Sequence, residues 1–164
     1  MSYGQFYLEP KDNDLRAVYF QEQGESEQGF SAFPTQVAFG TPPNTDRCTV
    51  EVEFASKLPP LRSAVQAVAV PIDVEGPDGL YPRTVDDSGD KQRLEVPLGH
   101  YDVVARFFPA RRKKDEEDTC FRSWRIILTL LPRGTVGPKC FKMPDESLPQ
   151  SLVLHRHGGS RVVG

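Results

Sequence analysis

Apolar residues recur at every second position in this chain, in short runs that proline and glycine keep interrupting. In "CTVEVEF" (48–54), Cys48, Val50, Val52 and Phe54 share one face while Thr49, Glu51 and Glu53 share the other. Successive strand side chains point to opposite faces, so this pattern predicts a β-strand with one buried and one wet side. Fifteen prolines and thirteen glycines are scattered through the 164 residues. No window keeps a 3.6-residue apolar period over helix length, and proline cannot continue a helix interior.

The same reading predicts strands at "QFYLE" (5–9), "RAVYF" (16–20), "GFSAF" (29–33), "TQVAFG" (35–40), "AVQAVAVPIDV" (64–74), "RLEVP" (93–97), "YDVVARFF" (101–108) and "FRSWRIILTLL" (121–131). Pro71 marks an edge or a bulge in its run, because proline has no ladder donor. A short helix around "PPLRSAVQA" (59–67) competes with the strand there. In "LEVPLGHYDVVARFFP" (94–109), Pro97 ends one strand, Gly99 suits a turn of positive φ, and the next strand starts at Tyr101. Apolar residues on both faces of that strand, Val103 and Phe107 against Val104 and Phe108, place it centrally or under a loop.

Many short strands with turn-forming separators predict an all-β fold, an antiparallel β-sandwich (jelly-roll-like) with long loops and little helix. A single domain is expected over 1–164, with a charged loop near 110–119 and a C-terminal tail from about 156 that is free to move. Val50, Val52, Phe54, Val70, Ile72, Val103, Phe107, Trp124, Ile126 and Leu128 are the expected core.

Composition narrows function by exclusion. With 26% charged residues and a net charge of −3, the chain lacks the basic excess that holds phosphate backbones, so direct nucleic-acid binding is not expected. No apolar run approaches the ~20 residues of a membrane helix, and Met1-Ser2-Tyr3-Gly4-Gln5 lacks the basic-then-apolar start of a signal peptide. A cytoplasmic protein without a membrane partner is the expectation. Cys48, Cys120 and Cys140 are widely spaced and read as small buried hydrophobes.

Enzyme motifs are missing from the sequence: there is no GxSxG, Walker loop, HExxH or GxGxxG. His155 and His157, in "LVLHRHGG", would share one strand face and could give two metal ligands. A zinc site needs a third and usually a fourth, so no metal and no cofactor are assigned. His100, alone in its turn, reads as solvated or capping. "RRKKDEED" (111–118) cancels to zero charge and reads as an exposed loop. "GESEQG" (24–29) and "DDSGD" (86–90) are acidic loops; the second lacks the twelve-residue spacing of a calcium loop.

"YGQFYLE", "GFSAFPTQVAFGTP" (29–42), "VAVPIDV" (68–74) and "RLEVPLGHYDVVARFFP" (93–109) occur in an order that resembles the competence protein J (ComJ) family. The residues from about Pro132 lie beyond the resemblance, and the "RRKKDEED" segment has no placed counterpart in it. The resemblance implies a non-enzymatic, immunity-type protein that binds and inhibits a bacterial nuclease or toxin. Beside it, Glu25, Glu27, Asp86, Asp87 and Asp90 are the candidate partner-binding carboxylates, placed where substrate phosphates would sit, with Tyr81 as an aromatic anchor. The alternatives are a metal-dependent enzyme on a cupin-like scaffold, built on His155 and His157, and a carbohydrate- or lipid-binding sandwich module.

Overall fold

The computed structural model describes residues 5–11, 28–42, 45–84, 93–110, 122–144, 148–149, 151–156 and 159–163. Every element among them is a strand: β1 (Gln5–Glu9), β2 (Phe30–Phe33), β3 (Gln36–Gly40), β4 (Thr45–Phe54), β5 (Gln66–Val74), β6 (Tyr81–Thr84), β7 (Gly99–Pro109), β8 (Arg122–Pro132), β9 (Lys139–Lys142), β10 (Leu152–Arg156) and β11 (Gly159–Val163). No helix among the described residues is long and apolar enough to cross a membrane. The segment "RAVYF" and the charged stretch 111–118 lie outside the described residues.

The strands form a four-stranded sheet, β2-β3-β1-β6, a five-stranded sheet, β4-β8-β7-β5-β9, and a β10-β11 hairpin. One apolar cluster joins them. Phe6, Leu8, Phe30, Val37 and Phe39 from the smaller sheet meet Val68, Val70, Ile72, Val103, Phe107, Ile126 and Leu128 from the larger, with Leu152 and Leu154 of β10. The Phe6 and Phe39 rings, opposite each other on β1 and β3, stack at 5.0 Å. This is a β-sandwich, as the alternation predicts. The hairpin pairs Leu152 with Val163 and Arg156 with Gly159, so the end of the chain carries backbone pairing beyond 156.

β7 is the centre of the larger sheet, flanked by β8 and β5 along almost its whole length. Both predicted features hold. Tyr101, Val103, Ala105 and Phe107 face the core, and Val104 on the other side is covered through Ala69, Leu131, Ala55, Leu61, Val136 and Phe141. The turn ahead of it is pinned by Tyr101, whose hydroxyl donates to the Pro97 carbonyl at 2.8 Å, while Gly99 takes φ +154°. Pro71 also finds the open side its chemistry requires. The Asp73 N–H points away from β7 to the Pro34 carbonyl, and residue 71 shares its parity; β9 pairs with β5 only over Ala67–Ala69. The missing donor of Pro71 therefore falls where no described strand asks for one.

Four expectations are corrected. β4 runs parallel to β8, so the larger sheet is mixed rather than purely antiparallel. Nearly seventy residues separate these strands, and no hairpin forces them to oppose. "RLEVP" is no strand; it contributes one bridge, Leu94 to Leu80. The segment 59–67 holds a turn at 62–63 and then enters β5, with no helix. Phe54, expected in the core, is 55% exposed. It has core-facing parity but ends an edge strand, where there is no further neighbour; Val50 and Val52 on the same strand are half-buried for the same reason.

The Leu80–Leu94 bridge depends on Gly79. Its φ is +72°, and a Cβ there would lie 2.2 Å from the Leu94 carbonyl oxygen, the acceptor of the Leu80 N–H. Gly79→Ala is expected to cost about 2 kcal/mol or more, from backbone strain and a lost bridge. Phe107→Ala, from a fully buried site, should cost about 3–5 kcal/mol, while Phe54→Ala should cost under about 0.5 kcal/mol. Urea unfolding of the three variants checks all three values.

Candidate partner-binding surface

Of the residues singled out from sequence, Glu25, Glu27, Asp86, Asp87, Asp90 and His157 lie outside the described residues. Tyr81 lies in β6 opposite Glu9 and is only 6% exposed. The Arg83 guanidinium stands 5.6 Å from its ring centroid and pairs with Glu9 at 3.2 Å. Tyr81 thus shapes the sheet that leads into segment 85–90 and offers little area of its own. His155 is on β10, opposite Ser160. Among the described residues no three His, Cys, Asp or Glu side chains gather as a metal site.

The outer face of the larger sheet carries a network of ion pairs. On edge strand β4, Glu51 takes a two-pronged contact from Arg125 Nε and Nη2, at 2.7 and 2.8 Å. Hydrogen bonding from Arg125 holds the Glu51 carboxyl below its ordinary pKa. Glu53 accepts from Arg106 Nη2 and from the Thr129 hydroxyl, each at 2.7 Å. Arg106 is buried on β7 and also donates to the Pro60 carbonyl. Buried Asp102 accepts from the Val136 and Gly137 N–H groups at 3.0 Å, which closes the turn after β8. These charges are occupied in holding strands and loops together. The two described thiols are not activated: Cys140 is buried, and burial pushes the Cys48 thiol up to about 11, so it stays protonated at neutral pH.

A different chemistry gathers where β4 and β8 end, β7 begins and β5 ends. Phe54 meets the Tyr101 ring edge-on at 6.5 Å. Leu98, at the tip of the turn that Tyr101 pins, is 62% exposed. Beside them, Asp73 Oδ1 accepts from Arg133 Nη2 at 2.6 Å and lies 2.8 Å from His100 Nδ1, and Arg133 Nε donates to the Tyr101 carbonyl. His100 is therefore part of a surface ion-pair cluster. Sequence reasoning missed both apolar groups. Parity put Phe54 in the core; the available signals were its place before "ASKLPP" and a leucine lodged between Pro97 and Gly99.

Comparison with known proteins gives two matches. The family model described as Competence protein J (ComJ) matches residues 1–130. The crystal structure of ComJ from Bacillus subtilis, described as an inhibitor of the DNA-degrading activity of NucA, superposes with a TM-score of 0.56 at 20% identity. It covers 80% of this chain and 91% of that one, a likeness of fold. No curated protein matches. The matched range ends close to Pro132, where the resemblance in sequence also stops.

The Asp73 cluster makes stability depend on acid. Partial burial acts to raise the pKa of Asp73, but the hydrogen bond from His100 and the charge of Arg133 outweigh it, so the carboxyl stays below its ordinary value. The unfolded chain, with an aspartate near ~4, takes up the proton first as pH falls. The stabilisation is therefore complete above about pH 4 and is lost as pH drops through the folded-state value. Thermal unfolding from neutral pH to about pH 3 should show Asp73→Asn less stable at neutral pH, with the difference from wild type shrinking on the acid limb.

Proposed function

The chain belongs to the competence protein J family, and on that premise we propose that it is a non-enzymatic binding protein that inhibits a bacterial nuclease by forming a stable complex with it. The observation that carries this is the family match over residues 1–130, most of the sandwich. The fold shared with an inhibitor of a DNA-degrading enzyme supports it. So does the use of Glu51, Glu53 and Asp73 as ion-pair partners of Arg125, Arg106 and Arg133, rather than as parts of a nucleophile–base arrangement. The partner is a protein, and neither DNA nor a membrane is contacted directly.

In this reading the loop carboxylates Glu25, Glu27, Asp86, Asp87 and Asp90 face the basic surface by which the enzyme would hold DNA. Tyr81 acts by bracing β6, which leads into 85–90. Like-signed replacement of phosphates speeds encounter more than it deepens affinity.

The test titrates the purified protein into the NucA-type nuclease of its own host and follows plasmid degradation. Inhibition with a co-eluting complex is expected; undiminished cleavage at saturating protein, with no complex, overturns the proposal. Charge reversal at Asp86, Asp87 and Asp90 together should slow association roughly tenfold at low salt and much less at high salt. His155→Ala with His157→Ala should leave inhibition unchanged. Loss of inhibition together with loss of a stoichiometric bound metal would instead favour an enzyme.

A further inference from the structure

We propose that the end of the sandwich bearing Phe54 and Leu98 is the surface that docks on the nuclease, a cationic protein partner; this rests on the inhibitor reading above. Phe54 and Leu98 are the two most exposed large apolar side chains among the described residues, at 55% and 62%. Single exposed apolar residues are ordinary on a soluble protein, but here one packs on Tyr101 and the other sits in the turn that Tyr101 pins. Tyr101 touches Phe54 through its ring and fixes the turn carrying Leu98 through its hydroxyl.

The scaffold under the patch is held still. Arg133 and His100 both bind Asp73, tying the exit of β8 to the start of β7 and the end of β5. Arg133 Nε also donates to the Tyr101 carbonyl. Apolar groups displayed on immobilised backbone lose little freedom on binding, which is how interface anchors gain affinity.

The surrounding charge says what kind of protein fits. Glu75 follows β5 directly, Asp78 lies in the next turn, and Glu95 is three residues before Leu98. All three are exposed and, among the described residues, none has an ion-pair partner. On the same side, Arg133 is committed to Asp73, and Arg93 donates to the Pro77 carbonyl. Arg93 keeps its charge, and exposed Lys57 stands three residues after Phe54, so the apolar centre has a mixed rim in which the carboxylates of Glu75, Asp78 and Glu95 outnumber the free cations. An enzyme that degrades DNA must carry a basic surface to hold phosphates, and that surface is complementary to this rim. A second copy of the chain would instead bring the same acidic excess against itself.

The experiment measures complex formation with the host's NucA-type nuclease by surface plasmon resonance, together with inhibition of plasmid degradation. Phe54→Ala and Leu98→Ala should each weaken binding at least tenfold, chiefly through faster dissociation, with unchanged thermal midpoints. Glu75→Lys, Asp78→Lys and Glu95→Lys combined should slow association, less so at high salt. Leu148→Ala, an exposed leucine elsewhere in sequence, is the control and should bind as wild type. If Phe54→Ala and Leu98→Ala bind and inhibit like wild type, the docking surface is overturned while the inhibitor reading stands. If wild type neither binds nor inhibits, both fall. A wild-type self-association that Phe54→Ala abolishes, with nuclease binding unaffected, assigns the patch to a dimer and also overturns the proposal.

Discussion

Everything in the larger sheet depends on β7 being buried on both faces. A strand with one wet face can carry any polar residue there, but Asp102 and Arg106 lie on a face closed off by loops. Burying a charge without partners costs far more than any one apolar contact returns. The fold must therefore bring partners to them. Val136 and Gly137 donate their N–H groups to Asp102, which sets the turn between β8 and β9. Glu53, Thr129 and the Pro60 carbonyl gather around Arg106, which sets the edge strand and the 55–64 loop. The loops over the outer face are placed by the polar residues of the central strand as much as by the apolar ones.

The parallel contact between β4 and β8 meets the same requirement. Glu51 and Glu53 alternate with Val50 and Val52, so the core-facing side of β4 is apolar and its outer side is anionic. Only a neighbour that offers cations on the outer face and large apolar groups on the inner one suits it. β8 does so with Arg125, and with Trp124, Ile126 and Leu128. Reversing β4 would keep the alternation but move Glu51 and Glu53 off the guanidinium groups they now meet. The observed parallel register sets Glu51 and Glu53 beside guanidinium groups, and no short connection between the strands dictates a different orientation.

Local pattern was enough to find most strands, since β1, β2, β3, β5, β7 and β8 each announce themselves by alternation or by an apolar run. Pairing between distant strands was not visible, because alternation says which face is apolar and nothing about the neighbour. Phe54 shows why the surface was harder to read than the core. Its parity is that of Val50 and Val52, and only the ending of the edge strand leaves its ring in water. Leu98 was hidden differently, in a turn whose shape comes from a hydroxyl three residues on. The acidic stretches around Glu25 and Asp86 were legible as charge, yet charge in a sequence carries no position. The family likeness was legible because it rests on the order of core segments, which the two sheets require.

That division bears on how such a sandwich can work by contact. A binding face built on a sheet surface would have to give up the ion pair and hydrogen bonds that Arg106 makes with Glu53, Thr129 and Pro60, so the outer face of the larger sheet is poorly suited to exchange water for a partner. Strand ends are under no such obligation. There the core rows run past the last covering strand, and a residue such as Phe54 is presented to solvent at little structural cost. Turns at that end can change composition without disturbing the ladders, while the strands beneath hold them in place. A rigid two-sheet core thus leaves recognition to its ends, where apolar groups and carboxylates can be combined freely.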